Sequence, residues 1–139
     1  MDENAVLLGI EAMRRDPEYH AAEVLRRKTK GGAAKMAAAA EGSEALQAVR
    51  LLISNWDVIA VLMRDSKTKD KDKVFEVTPV CHMYTELEPA IQYLRKKIPD
   101  LATNFEKMNA EYQSWLKKNK KNAKYVSAAC DGLMYAKFG

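Results

Sequence analysis

Residues 46–63, LQAVRLLISNWDVIAVLM, are the stretch that decides the fold of this chain. Their apolar side chains recur at intervals of three and four, from Leu46 through Trp56 to Met63, which is the spacing of one helical seam. Further apolar residues widen the seam and leave only a narrow polar edge, which includes Arg50 and Asp57. A helix with so few polar positions is buried on most sides. We therefore predict a central helix here.

A β-hairpin is the alternative for the second half of this stretch. Val58–Met63 is rich in β-branched residues, and Val74–Thr78 alternates between apolar and polar residues as a strand does. The two segments, at about 58–64 and 74–78, could pair across the lysine-rich loop at 67–73. An α+β fold with one hairpin is thus the second interpretation beside an all-α fold.

Further helices are predicted on both sides of the central one from their start and stop signals. Asp16-Pro17 suits the beginning of a helix, and Gly31-Gly32 suits the end of the same helix. Thr85 to Glu88 fits a capping box with Pro89 just inside. Asp100 is expected to cap another helix, and a last one is expected from about Lys124.

The whole chain is expected to be one domain, residues 1–139, folded as a compact all-α bundle of five to six helices. Its 139 residues are the usual length of a single domain, and 47% of them are hydrophobic, which is too many for a disordered chain. A domain of this length can bury enough surface to fold without a metal or a disulfide. Cys81 and Cys130 do not form a CxxC pair, so both are expected to be reduced and buried.

Targeting features point to an intracellular protein. The acidic start, Met1 to Asn4, differs from the basic beginning of a signal peptide. No uncharged apolar stretch reaches the length of a membrane span, so no membrane partner is expected. The expected location is the cytoplasm, or the inside of a virion or nucleoprotein particle.

No catalytic set is visible, and we expect no enzymatic activity. The neighbours Cys81 and His82 would point in different directions on a helix or a strand, which argues against a nucleophile and its base. His20 lies far from both in sequence. No ligand pair has the spacing of a metal site, so neither a metal nor another cofactor is expected.

Basic residues gather at the ends of predicted helices, in a chain with a formal net charge of +4. Cations at helix C-termini stabilise the helix dipole, so this layout has a purely structural explanation. The tract at 117–124 exceeds that need, because it carries five lysines and no acid, and Tyr112, Trp115 and Tyr125 flank it. Those aromatic residues suit either the core or base stacking. The candidate nucleic-acid contacts are Arg26, Arg27, Lys28, Lys30, Lys117, Lys118, Lys120, Lys121 and Lys124.

Two functional hypotheses follow. The first is a non-enzymatic, basic helical subunit that binds the phosphate backbone of RNA or DNA without sequence specificity, inside a larger nucleoprotein assembly such as a coat. The alternative is a protein–protein interaction module of a multi-subunit complex with no nucleic-acid role. The alanine-rich turn suits close helix contacts, with Ala37 and Ala38 as candidate protein contacts, and a homo-oligomer or larger assembly is expected.

Overall fold

The computed structural model describes residues 3–119, which form seven α-helices and no strand. The predicted all-α fold is confirmed, with one or two helices more than expected. The helices are α1 (Glu3–Arg15), α2 (Pro17–Lys28), α3 (Gly32–Ala37), α4 (Glu44–Arg64), α5 (Thr68–Val77), α6 (Val80–Leu94) and α7 (Thr103–Asn119). The helix expected from Lys124 lies outside the described residues.

Helix α4 is the central helix, as residues 46–63 predict. It contacts α1, α2, α3, α6 and α7, and Leu52, Ile53 and Trp56 are almost completely buried. Ser43 begins the helix by accepting a hydrogen bond from the backbone N–H of Leu46. By length and composition alone α4 could cross a membrane, but here 44% of its most apolar window is buried inside the protein. Its apolar character is thus explained in large part by packing within the bundle.

The hairpin alternative is wrong. Val58–Met63 belongs to α4, and the lysine-rich segment that was expected to be a loop forms most of α5. Val74 and Phe75 are buried, and the Phe75 ring lies 5.4 Å from the Tyr112 ring and 5.7 Å from the Trp115 ring of α7. A helix lets these two neighbouring side chains both reach the core, whereas neighbours on a strand point to opposite faces.

Helix α6 begins earlier than the sequence signals predict. It starts at Val80, so Thr85 lies inside the helix rather than at its cap, and the helix continues through Pro89. Proline inside a helix removes one backbone hydrogen bond. The loss is offset by a buried stripe that runs through Leu87 and Ile91, both fully buried. Burial of such side chains contributes about 1.5–3 kcal/mol each and outweighs the local signal.

The beginning of α7 depends on a side chain from α4. The helix starts at Thr103 instead of next to Asp100, and the backbone N–H of Phe105 donates to Oδ1 of Asp57 at 2.9 Å. Ala102 precedes it with a φ of 60°, a left-handed conformation that is costly for a residue with a Cβ. A capping group from a distant helix therefore replaces the local cap that alanine cannot provide.

Cys81 is buried on α6 and is part of a disulfide bond, so the expectation of a reduced thiol is wrong for this residue. Its sulfur also lies 3.7 Å from Nε2 of Gln113 on α7. Cys130 lies outside the described residues.

Replacing Asp57 by alanine tests the inter-helix cap. We expect Asp57→Ala to lower the free energy of unfolding by about 1–2 kcal/mol, because the loss of an N-cap acceptor typically costs that much. Urea denaturation followed by circular dichroism measures it. Ser54→Ala, at an exposed position of the same helix, is the control and should change little. Equal stability of the two variants would contradict a capping role for Asp57.

Candidate functional site

One candidate site is an open cavity of about 430 Å³ that residues of helices α1, α2, α4 and α6 line together with Pro79. Polar and apolar side chains both contribute to its lining. The lining residues are Arg14, Tyr19, His20, Glu23, Arg26, Arg27, Trp56, Pro79, His82 and Met83. Its volume lies in the range of small-molecule sites, which usually combine apolar walls with a few polar groups.

Arg26, a predicted nucleic-acid contact, is held inside the protein at the wall of this cavity. Its guanidinium donates to Oε2 of Glu23 at 3.2 and 2.8 Å and to Oε2 of Glu86 at 3.1 Å. Arg26 is only 9% exposed. With its donors directed at two carboxylates, this side chain positions α2 against α6 and is not offered to an outside phosphate.

Glu23 has one oxygen in use and one without a partner. Oε2 accepts both Arg26 bonds and lies 3.8 Å from Nε of Arg27. Oε1 is buried and accepts no hydrogen bond from the residues that the structure describes.

Tyr19 and Trp56 form the floor between α2 and α4. The indole N–H of Trp56 donates to the hydroxyl of Tyr19 at 2.9 Å, and both residues are buried. Burial, and next the negative charge of Glu23, raise the pKa of Tyr19 to about 12. The phenol is therefore a neutral structural group over the physiological pH range.

The two histidines of the chain, His20 and His82, meet at this cavity although they lie on α2 and α6. Both side chains are exposed, and so is Arg14 at the end of α1. Sequence reasoning did not pair them, because nothing local indicates which turns of distant helices face each other. Among the described residues, no group of three or more His, Cys, Asp or Glu side chains could hold a metal ion.

The other predicted cations of α2 remain on the surface. Arg27, Lys28 and Lys30 are exposed, and α2 ends at Lys28, just before Thr29. Arg27 lines the same cavity as Arg14. Arg14, Arg27, Lys28 and Lys30 are called the α2 basic surface below.

The lysine tract after α7 is described only in part. Lys117 and Lys118 are exposed at the end of that helix. Lys120, Lys121 and Lys124 lie outside the described residues, as does Tyr125. Tyr112 is 1% exposed and Trp115 is 8% exposed, so these two aromatic residues belong to the core and are not available for stacking on bases.

A second, smaller groove of about 190 Å³ lies between α3, α4 and α6. Tyr93 at its edge is 43% exposed, and the ammonium of Lys96 lies 4.8 Å from the centre of its ring. Arg50 in the same groove is paired with Glu41 at 2.9 Å. The sequence did not single out Tyr93, because its exposure depends on how α6 packs.

The two candidate protein-contact alanines lie at the end of α3: Ala37 is its last residue and Ala38 is its C-cap. Ala37 is 3% exposed, and α3 packs against α6 and α4. Ala38 is exposed. Much of the close packing that small residues permit is thus made within the chain.

Comparisons with known proteins give no match: no family model, no curated protein and no solved structure is similar to this chain.

Alkaline pH should weaken the fold through Tyr19. Its pKa is 10 in an unfolded chain and about 12 in the folded protein, so only the unfolded state loses the proton between these values. The stabilisation is complete below pH 10 and is lost as the pH rises toward 12. Between about pH 9 and pH 11 this group should lower the free energy of unfolding by about 1 kcal/mol.

Tyr19→Phe isolates this effect from other ionisations. The variant lacks the hydroxyl that accepts from Trp56, so it should be less stable than the wild type near pH 9. The difference in free energy of unfolding between the wild type and the variant should be smaller by about 1 kcal/mol near pH 11. Denaturation curves at both pH values measure it, and a constant difference would contradict the assignment.

Enlarging Ala37 and Ala38 one at a time tests which of them is closely packed. Ala37→Leu should destabilise the protein by about 1–3 kcal/mol, because a buried helix contact has no room for extra methylenes. Ala38→Leu is the matched control and should change stability by less than about 0.5 kcal/mol. Thermal unfolding of both variants checks this, and a tolerated Ala37→Leu would show that α3 is not closely packed.

Proposed function

We propose that this chain is a non-enzymatic helical subunit that binds the phosphate backbone of RNA or DNA without sequence specificity, as part of a larger intracellular nucleoprotein assembly. The observation that supports the proposal is the α2 basic surface, in which Arg14 of α1 joins the exposed cations at the end of α2. Among residues 3–119, Arg14 has no ion pair, and Arg27 has only the 3.8 Å contact with Glu23. Such cations are able to neutralise phosphates.

Dipole stabilisation accounts for only part of this arrangement. One or two cations suffice to stabilise a helix end, whereas the last turn of α2 has three and Lys30 lies two residues beyond it. Burial of Arg26 removes one of them from the surface. The remaining exposed side chains carry flexible charges suited to backbone contacts, which require charge and not a fixed geometry. Lys117 and Lys118 would add a second contact region at the end of α7.

Salt-dependent binding tests the proposal. Fluorescence anisotropy with a labelled single strand of about 30 nucleotides, at about 50 mM and about 300 mM salt, should show affinity that falls steeply with salt. In the Lys28→Gln/Lys30→Gln variant we expect weaker binding and a slope smaller by about 0.7 for each lysine that contacts a phosphate.

Lys67→Gln/Lys107→Gln is the matched control, since it removes the same charge from exposed positions outside the α2 basic surface. It should bind nearly as the wild type does. If both double variants lose the same affinity, the effect is one of net charge and the α2 basic surface is not the contact. If the wild type does not bind at the lower salt concentration, the proposal fails.

Self-association is a second candidate function, favoured by two exposed apolar side chains. Leu8 is 63% exposed and Val58 is 56% exposed. Each adjoins, in sequence, a residue of the contact between α1 and α4, since a Cβ on Gly9 would be 3.1 Å from Cδ1 of Leu62 and 3.5 Å from Cδ1 of Ile59. Exposed apolar surface of this kind is typical of places that bind another protein when it forms a continuous patch. A second copy of the chain, in an assembly of identical subunits, would cover them.

Light scattering coupled to size exclusion at about 300 mM salt tests self-association, since apolar contacts persist where ionic ones are screened. We expect the wild type to be oligomeric and Leu8→Lys/Val58→Lys to elute as a monomer of 15.7 kDa. Gln92→Lys/Ser114→Lys, at exposed positions of α6 and α7, is the charge-matched control. A monomeric wild type, or an oligomer that the first variant leaves intact, would contradict this candidate.

A further inference from the structure

The cavity of about 430 Å³ collects four exposed side chains that donate hydrogen bonds and can carry positive charge. They are Arg14 of α1, His20 and Arg27 of α2, and His82 of α6. Three helices therefore direct donors into one open space. Nothing in the sequence brings these helices together for this purpose, since their meeting place is set by the buried faces that pack on α4 and on each other.

Helix α2 brings His20 and Arg27 toward each other although they are two turns apart. Residues at this spacing share one face of a helix, and long side chains on a helix lean back toward its N-terminus. Arg27 does so, because its Nε lies 3.8 Å from Oε2 of Glu23, which is four residues earlier. The guanidinium of Arg27 is thereby carried about one turn closer to His20.

Arg14 reaches the same space from α1. Burial raises the pKa of Tyr19 at the floor of the cavity, and the positive charge of Arg14 acts against that rise, so this charge is felt at the floor. Arg14 lines the cavity and has no ion pair among residues 3–119. It is therefore available to an anion that enters from solvent.

Positive charge exceeds negative charge among the described residues that line the cavity. Three of them are arginines, and Glu23 is the one acid. Arg26 is engaged by Glu23 and by Glu86, which leaves Arg14 and Arg27 without a close carboxylate bond. A concave surface with an excess of one sign of charge concentrates ions of the opposite sign.

We infer that this cavity binds a single tetrahedral oxyanion of the phosphate class, held by the guanidinium groups of Arg14 and Arg27. The imidazole N–H groups of His20 and His82 complete the set of donors. A guanidinium matches two oxygens of a phosphate with parallel hydrogen bonds. Donors from three helices suit an ion whose oxygens point in several directions, whereas a carboxylate has two oxygens in one plane.

The two histidines make the test specific, because they are the only ones in the chain and both line the cavity. The full-length protein is labelled with carbon-13 histidine and titrated with inorganic phosphate at constant pH, with chloride replaced so that ionic strength is constant. We expect both imidazole signals to shift and to saturate together, with a dissociation constant below about 1 mM. Acetate, which offers one plane of oxygens, should bind at least about ten-fold more weakly.

A pair of adjacent arginines on α1 gives a matched control. Arg14→Gln should weaken phosphate binding at least about ten-fold, since a charge-assisted contact is lost. Arg15→Gln removes the same charge from the next residue, which is exposed, is paired with Glu11 and does not line the cavity, so it should bind as the wild type does. Arg27→Gln, on the other helix, should weaken binding as Arg14→Gln does. Thermal unfolding of each variant confirms that the fold is kept.

Three outcomes would overturn the inference. Histidine signals that do not move, or that drift without saturating, up to about 10 mM phosphate would exclude a defined site. Equal loss of affinity in Arg14→Gln and Arg15→Gln would reduce the effect to net charge. Acetate that binds as tightly as phosphate would exclude selection of a tetrahedral oxyanion.

Two phosphate esters distinguish the sources of such an anion. The cavity volume far exceeds that of the ion, which leaves room for the organic part of an ester. If methyl phosphate binds and dimethyl phosphate does not, the site takes a free phosphate or a phosphomonoester. If dimethyl phosphate binds as well, the site also accepts the diester of a nucleic-acid backbone. Either result is consistent with the inferred site.

The site shares Arg14 and Arg27 with the α2 basic surface but does not depend on the proposed backbone binding. The Lys28→Gln/Lys30→Gln variant should bind inorganic phosphate as the wild type does, because neither lysine lines the cavity. A protein that binds no oligonucleotide but saturates with phosphate would contradict the proposed function alone. A protein that binds oligonucleotides, with histidine signals that phosphate leaves unmoved, would contradict this inference alone.

Discussion

The indole of Trp56 on α4 connects this central helix to both α2 and α7. Its N–H donates to Tyr19 of α2, and its ring stacks on Phe105 of α7 with 5.7 Å between centroids. Trp56 is 1% exposed at the middle of α4, the helix that contacts most of the others. Because a buried indole N–H needs an acceptor, the position of α2 on α4 is specified by more than apolar contact. The same bond sets the floor of the candidate cavity.

Two neighbouring arginines of α2 have opposite environments, one in the interior and one in solvent. Arg26 and Arg27 differ by one step of about 100° around α2, and this step places one inside and the other outside. Arg26 is tolerated in the interior because two carboxylates surround it, and removal of either partner would leave a costly charge. Arg27 stays in solvent. Of the cations predicted to contact a phosphate, those without an internal carboxylate partner therefore remain exposed.

The two proposed functions use different kinds of surface. Contacts with a phosphate backbone need flexible exposed charges and tolerate imprecise geometry, as Lys28 and Lys30 provide. Apolar association through Leu8 and Val58 would take place elsewhere on the molecule. Backbone binding and self-association can therefore be tested separately.

Local signals predicted several parts of the fold well and failed where packing decided the outcome. The periodicity of residues 46–63 predicted α4, and Asp16-Pro17 predicted the start of α2, since each depends on the chain nearby. The capping box at Thr85 was wrong, because Leu87 and Ile91 gain more from burial than Pro89 costs the helix. The segment at 67–73, expected to be a loop, is mostly helical, because Phe75 packs against Tyr112 and Trp115 of α7.

The sequence by itself determined the helical class and most of the exposed cations, because helical periodicity and helix-end charges depend on residues a few positions apart. The tertiary structure alone decided the candidate site. Arg26 binds Glu86, which lies 60 residues further along the chain, and His20 and His82 line one cavity from two different helices. No local rule links such residues, since their proximity follows from how the buried faces of α2, α4 and α6 fit together in three dimensions.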